Sequence, residues 1–225
     1  MSAQRPRVAV VDYGMGNRRS VQKAIQHAGA EAAITRDHAE LQAADGLVVP
    51  GVGAFPQAMA NLRDLGLDSL IAQQAAGGTP VLGVCLGMQL LFDASQELVP
   101  FTGLGLIAGE VTPLATGGRR VPHIGWNEVR FERRCELTEG LPPRGCAFYH
   151  VHSLAVRPAD PGDVVATTEY GERFATIVQR GHVLGVQFHP EKSSGHGLRM
   201  LANFVQMSVR AATGAAAGGR AAARA

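Results

Sequence analysis

The chain has 225 residues, of which 46% are hydrophobic and 18% charged, and its formal net charge is +2. This length favours one globular domain with a sizeable core, and the near-neutral charge is not that of a nucleic-acid binder. Three cysteines are too few for a disulfide framework and suit a reducing cytosol. No signal-like or membrane-length apolar run is found. We therefore expect a cytoplasmic protein with neither nucleic-acid nor membrane partners.

The first half of the chain alternates short apolar strands with helical segments. The predicted strands are residues 7–11, 32–35, 47–49 and 81–84. The predicted helices are residues 17–28, one or two helices within 54–76, and a helical stretch over 88–92. Strands that are apolar on both faces are typical of a parallel sheet covered by helices.

The second half of the chain changes character, because its strands are joined by short links. The predicted strands are residues 147–154, 164–168, 174–179 and 183–188, and a last helix is predicted over residues 194–209. The pattern predicts an α/β fold, an open, mostly parallel twisted sheet with helices on both faces and an antiparallel extension. We expect residues 1–210 to form one domain, and residues 211–225, rich in Ala, Gly and Arg, to form a disordered tail.

A cysteine stands at the most informative point of this pattern. Cys85 ends an apolar strand and is flanked by Gly83 and Gly87, and a helical stretch follows. Small neighbours permit the tight strand-to-helix bend of a nucleophile elbow. A helix N-terminus favours the thiolate and offers N–H groups, here that of Leu86, to a developing oxyanion. The alternative is a buried core cysteine.

A general base for this nucleophile occurs late in the chain, after the strand predicted over residues 183–188. His189 can accept and return a proton, and Glu191 can orient the imidazole and stabilise its cation. Residues two apart in an extended segment point the same way, and Pro190 stiffens the link between them. A strand-end histidine beside a solvated glutamate is the alternative interpretation.

The carboxyl ends of parallel strands are where ligands bind in such sheets, and several motifs lie at these ends. One is the loop Pro50-Gly51-Val52-Gly53, which lacks the Lys-Ser/Thr of a phosphate-binding loop. It is either a simple turn or the source of a second oxyanion donor, the N–H of Val52, and we favour the donor.

Two further features have more than one interpretation. His150 and His152 together with His189 and Glu191 could bind zinc, but an elbow cysteine fits covalent catalysis better, so we predict no metal. Trp126, the single tryptophan, is either a core residue or an interface residue, and we predict the interface role because it follows a glycine in a loop-like stretch. The remaining histidines are assigned to surface or structural positions: His27, His38, His123, His182 and His196.

These motifs resemble the class I (triad) glutamine amidotransferase family. Within it they are most similar to the glutaminase subunits of imidazole glycerol phosphate synthases, which serve histidine biosynthesis. The similarity extends over residues 7–209. It is carried by the segments 12–17, 50–53, 83–89, 122–127, 149–153 and 189–193.

The resemblance implies a reaction and a partner. The chain would hydrolyse glutamine to glutamate and ammonia through a cysteinyl thioester, without a cofactor. It would deliver the ammonia to a (β/α)8-barrel cyclase subunit in a heterodimer. The cyclase would make imidazole glycerol phosphate and an aminoimidazole carboxamide ribotide.

The resemblance also implies roles for individual residues. The implied catalytic residues are Cys85, His189 and Glu191. The implied oxyanion donors are Val52 and Leu86. The implied glutamine-binding residues are Gly51, Gly53, Gln89, Val151, His152 and Ser153. The implied partner-facing residues are Asn17, Trp126 and Lys192.

Three residues depart from the family pattern. His150 and Leu154 replace expected aromatic residues near the glutamine site, and Arg18 replaces an apolar residue expected in the first turn of a helix. Other functions stay open, namely a glutaminase subunit of another synthase, a stand-alone Cys hydrolase or peptidase, a zinc hydrolase, and a non-catalytic partner subunit.

Overall fold

A computed structural model describes residues 5–222 of the chain, with side chains through residue 213. Its strands are β1 (Arg7–Val11), β2 (Glu31–Thr35), β3 (Gly46–Gly51), β4 (Val81–Cys85), β5 (Phe92–Ser95), β6 (Phe101–Thr102), β7 (Ile107–Pro113), β8 (His123–Phe131), β9 (Gly145–His152), β10 (Leu154–Pro158), β11 (Val164–Tyr170), β12 (Glu172–Arg180) and β13 (Val183–Val186). Its α-helices are α1 (Arg18–His27), α2 (His38–Gln42), α3 (Phe55–Asp64), α4 (Leu67–Ala76), α5 (Leu86–Leu90) and α6 (Ser194–Ala222). Within residues 5–222, no helix has the length and apolar character needed to cross a membrane.

The strands form one sheet with a parallel centre. Its main path runs β2-β1-β3-β4-β13-β12-β10-β7-β5-β6. The neighbours from β2 to β13 are parallel, whereas β12, β10 and β7 pair antiparallel. Strands β11, β8 and β9 branch from β12 as an antiparallel extension. The predicted fold class is thereby confirmed.

A hydrophobic core lies on each face of the parallel centre, because its strands are apolar on both sides. One core packs α1 and α6 against the sheet, and the other packs α3, α4 and α5 against the opposite face. Strand β4 contributes Leu82 and Val84 to the first core and Val81 to the second. Cys85, the next residue, is thus held at the end of a strand that is covered on both faces.

Several predicted boundaries differ from the structure. The helical stretch predicted over residues 88–92 begins earlier, at Leu86, and Phe92 already belongs to β5. The apolar run of residues 147–154 is divided at Ser153 into β9 and β10, which pair with different neighbours, β8 and β7. The last helix, predicted to end at residue 209, continues to Ala222, because alanine and arginine are strong helix formers.

The predicted tail, residues 211–225, overlaps the last helix. Its residues up to 222 continue α6, and residues 223–225 lie outside the described part of the chain. Ser208 is the last fully buried residue of the helix among the side chains that the structure describes. The division into a domain of residues 1–210 and a disordered tail stays a prediction.

The stretch around Trp126 is a strand and not a loop. Strand β8 pairs with β9 over most of its length, including Trp126 opposite Tyr149. Its side chains alternate, with His123 and Val129 buried while Ile124 and Trp126 are exposed. The glycine and the polar residues of the sequence concealed this alternation, which is the pattern of a half-buried strand.

Candidate active site

Cys85 occupies the sharp bend that the sequence predicts. Its φ of 57° and ψ of −110° are unusual for a residue with a side chain. A Cβ added at Gly83 would lie 2.5 Å from the carbonyl oxygen of Gly87, and one added at Gly87 would lie 1.7 Å from that of Val49. Only glycine fits at both positions, because the helix that follows turns back directly onto β3 and β4.

His189 and Glu191 lie beside this bend because β13 runs parallel to β4, with Val186 opposite Val84. The His189 Nδ1 and a Glu191 carboxylate oxygen are 2.9 Å apart, and the two side chains are 4% and 1% exposed. Burial opposes protonation of His189, but hydrogen bonds and charge from Cys85 and Glu191 outweigh it and raise its pKa to about 9. The imidazole is therefore set up as a cation at neutral pH.

Gln187, which sequence reasoning missed, contacts the thiol, and Gln89, which it identified, contacts Gln187. The Gln187 amide nitrogen lies 3.8 Å from the Cys85 sulfur, and its oxygen accepts a 3.1 Å hydrogen bond from Gln89. The sulfur is also 3.6 Å from the carbonyl oxygen of Val151. Gln187 is fully buried, and the signal for it was a polar residue inside an apolar strand, two positions before His189.

A cavity of about 270 Å³ opens in front of Cys85 and His189. It contains most of the residues to which the sequence assigned oxyanion, glutamine and partner roles: Val52, Gly53, Leu86, Gln89, Val151, His152, Ser153 and Lys192. This volume is slightly below the range of drug-sized ligand sites and suits a single amino acid. A larger depression of about 710 Å³ lies elsewhere, around Arg133 and Cys135, and contains none of the predicted catalytic residues.

Glu97 also lines this cavity and was missed by sequence reasoning. Its carboxylate accepts a 2.6 Å hydrogen bond from the N–H of Phe55, the first residue of α3. The side chain comes from the loop after β5, a strand that the sequence analysis did not predict. The carboxylate is the one acidic group among the cavity-lining residues that the structure describes.

The loop after β3 is held in place by Tyr13. Tyr13 is buried, and its hydroxyl donates a 2.5 Å hydrogen bond to the carbonyl oxygen of Pro50. Burial, and to a smaller degree Cys85, raise the pKa of this phenol above its ordinary value. A Cβ at Gly51 would lie 2.7 Å from the Tyr13 hydroxyl and 2.8 Å from Leu86. The close packing explains why position 51 is a glycine and brings the loop against the elbow.

Four predicted residues do not line the cavity, and one of them, Glu191, contacts His189, which does line it. Gly51 is buried and stands opposite Cys85 in the pairing of β3 with β4. Asn17 occupies the N-cap position of α1, but its side chain makes no capping hydrogen bond. It lies in a separate depression with Arg18 and Asp12, which form an ion pair. Trp126 is 53% exposed on β8.

The histidines considered for a metal site are engaged in hydrogen bonds. His150 is fully buried between the carbonyl oxygen of Phe148 at 3.1 Å and the hydroxyl of Thr176 at 3.0 Å. These two hydrogen bonds satisfy the polar His150 ring at a position where the family pattern led us to expect an aromatic residue. Burial, and then the neighbouring His152 and His123, lower the pKa of His150 well below its ordinary value. Across the described residues, no cluster of His, Cys, Asp and Glu is arranged to hold a metal ion.

Comparison with known proteins places this geometry in a family context. A family model described as glutamine amidotransferase class-I matches residues 9–207. A Moorella thermoacetica protein named imidazole glycerol phosphate synthase subunit HisH is 50% identical over 200 residues, 89% of this chain and 94% of that protein. A protein of the same name from Aquifex aeolicus is 45% identical over 208 residues, 92% of this chain and all of that protein. The resemblance inferred from the motifs is confirmed.

Solved structures agree on the fold. A crystal structure described as glutamine amidotransferase has a TM-score of 0.71 at 23% identity and covers 89% of this chain and 98% of that one. The structure of PurLQS from Thermotoga maritima has a TM-score of 0.71 at 20% identity and covers 92% of this chain and 99% of that one. At such identities the likeness shows the fold alone.

Proposed function

Because the chain belongs to the class-I glutamine amidotransferase family, we propose that it is the glutaminase subunit of an imidazole glycerol phosphate synthase. It hydrolyses glutamine to glutamate and ammonia and supplies the ammonia to a cyclase subunit in histidine biosynthesis. The observation that carries the proposal is Cys85 in a strained elbow, with the His189–Glu191 pair at the same cavity. The relatives named HisH at 45–50% identity favour this synthase over others.

The catalytic residues of this proposal are Cys85, His189 and Glu191. The Cys85 sulfur attacks the carboxamide carbon, and the protonated His189 gives its proton to the departing ammonia, which leaves a γ-glutamyl thioester. His189 then takes a proton from water as the water attacks the thioester, which releases glutamate and restores the thiolate–imidazolium pair. The raised pKa of His189 supports this cycle because it favours the proton-donating form at neutral pH.

Two backbone N–H groups are proposed to hold the oxyanion. Leu86 is the first residue of α5, so its N–H has no partner within that helix and lies next to the sulfur. Val52 lines the cavity immediately after Gly51, which is paired with Cys85. Each donor of this kind contributes roughly 10²–10³-fold to the rate of acyl transfer.

The amino-acid end of glutamine is proposed to bind in the same cavity. Gly53, Gln89, Val151, His152 and Ser153 line this cavity, and Gly51, buried opposite Cys85, immediately precedes the cavity-lining Val52. We add Glu97, because its carboxylate is suited to receive the α-ammonium group of the substrate. Its hydrogen bond to the N–H of Phe55 holds it in place.

The partner is proposed to be a (β/α)8-barrel cyclase that forms a heterodimer over the mouth of this cavity. Six large apolar side chains are exposed among the described residues: Val52, Leu98, Val99, Val121, Ile124 and Trp126. Val52 lines the cavity, and Leu98 and Val121 are chain neighbours of Glu97 and Pro122, which also line it. Apolar patches of this kind, and aromatic residues above all, mark protein interfaces. Lys192 lines the same mouth, and Asn17 lies in the depression of Arg18 and Asp12, where charged groups would meet the partner.

Partner binding is also proposed to control the reaction. Gly53 has a φ of 110°, and together with Gly51 it gives the loop after β3 the freedom to flip a peptide. We expect the Val52 N–H to face the oxyanion only when the cyclase has bound its nucleotide. Free ammonia would then be produced only when a consumer is ready, and the two sites would be coupled across the interface.

The test is glutamate release from glutamine, measured for the chain alone, with the cyclase, and with the cyclase plus its nucleotide. Cys85→Ala is the test variant, and Cys135→Ala, at a half-buried thiol outside the cavity, is its matched control. Activity that requires the liganded cyclase and is lost only in Cys85→Ala supports the proposal.

Other outcomes would replace the proposal with a named rival. An equally high rate without the partner indicates a stand-alone hydrolase, and activation only by another synthase subunit indicates a different pathway. Activity that survives in Cys85→Ala refutes the catalytic assignment. We also propose a cytoplasmic location, since all three cysteines are free thiols.

A further inference from the structure

A chain of hydrogen bonds between side chains connects β8 with the wall of the glutamine cavity. The Asn127 amide nitrogen lies 3.3 Å from His123 Nε2, and His123 Nδ1 lies 2.9 Å from His152 Nε2. His152 Nδ1 lies 2.8 Å from the carbonyl oxygen of Leu154. His123 and His152 are both buried, so these contacts are shielded from water.

Both ends of the chain fix the direction in which its hydrogen bonds run. At one end, the Asn127 side-chain oxygen accepts from the N–H of Glu128 at 2.8 Å and its nitrogen donates to the carbonyl oxygen of Glu169 at 3.0 Å. The Asn127 nitrogen is therefore the donor, and His123 Nε2 must accept. At the other end the Leu154 carbonyl can only accept, so the His152 proton is on Nδ1. Both histidines are thus neutral Nδ1–H tautomers, and His123 donates to His152.

The Leu154 carbonyl connects this hydrogen-bond chain with the active site. It also lies 3.5 Å from the Gln89 amide nitrogen, which donates its other hydrogen to Gln187 at 3.1 Å. With both amide hydrogens directed to protein acceptors, Gln89 can present only its carbonyl oxygen to the cavity. Gln187 in turn contacts the Cys85 sulfur.

We infer that His123, outside the cavity, is a positioning residue for glutamine binding. By donating from Nδ1 it holds His152 in the tautomer that donates to Leu154, and this orients Gln89 toward the substrate. The inference rests on the proposed function for its substrate. It adds to that function His123, which does not touch glutamine, and it requires the Nδ1–H tautomer of His152, which lines the cavity.

The competing explanation is that His123 acts by packing alone. Its ring stacks on Tyr170, with the ring centroids 4.0 Å apart, and on His150, with the centroids 4.9 Å apart. A pair of variants separates the two roles. His123→Phe keeps an aromatic ring for stacking and removes both hydrogen bonds, whereas His123→Asn gives up the stacking and keeps an amide donor near the position of Nδ1.

Steady-state glutaminase kinetics of the complex with the cyclase and its nucleotide provide the first readout. We expect His123→Phe to raise the KM for glutamine roughly fivefold to tenfold, with a smaller change in kcat, because ground-state binding is what weakens. His123→Asn is expected to remain within about twofold to threefold of the parent. A larger rise in the KM for glutamine in His123→Asn than in His123→Phe would overturn the inference. Equal KM values in the parent and His123→Phe would also overturn it.

Nuclear magnetic resonance provides a second readout that needs no activity. Long-range ¹H–¹⁵N spectra of the histidine rings at neutral pH are expected to show Nδ1–H tautomers for His123 and His152 in the parent. In His123→Phe, His152 is expected to shift toward the Nε2–H form. An Nε2–H proton on His152 in the parent would overturn the inference even if both variants failed to fold, and a Cys85-independent glutaminase activity would instead contradict the proposed function.

Discussion

Replacing Glu191 by glutamine is expected to change how the stability of the protein depends on pH. The substitution keeps the size of the side chain and removes the charge next to His189 Nδ1, 2.9 Å away. The other carboxylate oxygen is buried and has no hydrogen-bond partner among the described residues, so the imidazole is the main neighbour that stabilises this charge. The pKa of His189 should then fall toward its ordinary value, held up only by Cys85.

The magnitude follows from the pKa of His189, which is raised from 6.5 to about 9. A difference of about 2.5 units corresponds to about 3 kcal/mol of preference for the protonated imidazole in the folded state. A raised pKa contributes its full stabilisation below pH 6.5, where both states are protonated. The contribution is lost as the pH rises toward about 9, because the unfolded chain releases its proton first. Glu191 is one of the two groups that raise this pKa. Without its charge, the loss of stability as the pH rises from 6.5 toward 9 should be smaller by roughly 1–2 kcal/mol.

Urea denaturation at pH 6, 7.5 and 9 measures this difference. The free energy of unfolding of the parent should decrease more steeply with pH than that of Glu191→Gln. Burial raises the pKa of Cys146 to about 11, so this thiol also lowers stability at high pH, but it does so equally in both proteins. Glu169→Gln, at an exposed carboxylate, should follow the parent. Parallel pH profiles for parent and Glu191→Gln would refute the reasoning.

Four further results are expected. Gly87→Ala should lower the free energy of unfolding by roughly 1–3 kcal/mol, because its Cβ would lie 1.7 Å from a backbone oxygen; Gly195→Ala, with open space around it, is the control. Stability of the parent should also fall as the pH decreases from 6.5 to 4, as measured by denaturant titrations. Burial lowers the pKa of His152 to about 4, so over this range only the unfolded chain takes up the proton. A stability that does not change with pH would contradict this. Gln187→Leu should slow alkylation of the Cys85 thiol by iodoacetamide roughly fivefold to tenfold at neutral pH, because the substitution removes the amide that donates to the sulfur. An unchanged rate would exclude Gln187 as a hydrogen-bond donor to Cys85. Trp126→Ala should weaken cyclase binding by about 2 kcal/mol in calorimetric titrations without lowering the melting temperature of the isolated chain; equal affinity would place the interface elsewhere.

The parallel centre of the sheet was predictable because its strands are uniformly apolar. A run such as residues 47–49 or 81–84 is buried on both faces in the structure, and its sequence has no competing interpretation. Strand β8 was not predictable in the same way. Its exposed positions carry Ile124 and Trp126 where polar residues are usual, so the expected alternation of apolar and polar residues was absent.

The candidate site divides along similar lines. Cys85, His189 and Glu191 could be proposed from the sequence because each stands in a short motif whose local geometry is encoded by its neighbours. Gln187 and the Asn127–His123–His152 chain were not, because their contacts join residues far apart in sequence. The β13–β4 and β8–β9 pairings bring them together, and a single sequence does not reveal which strands pair. His123 was accordingly assigned to a surface or structural position; it is buried, which agrees with a structural position.

The left-handed backbone at Cys85 makes this position one where folding and chemistry favour different residues. A residue with a Cβ in such a conformation costs on the order of 1–3 kcal/mol, whereas glycine adopts it freely. Selection for stability alone would therefore replace the cysteine by glycine, and under the proposed function selection for the reaction opposes that change. In a lineage that obtained histidine from its surroundings, position 85 would be among the first to drift, and the inactive descendants would be more stable than their active ancestors.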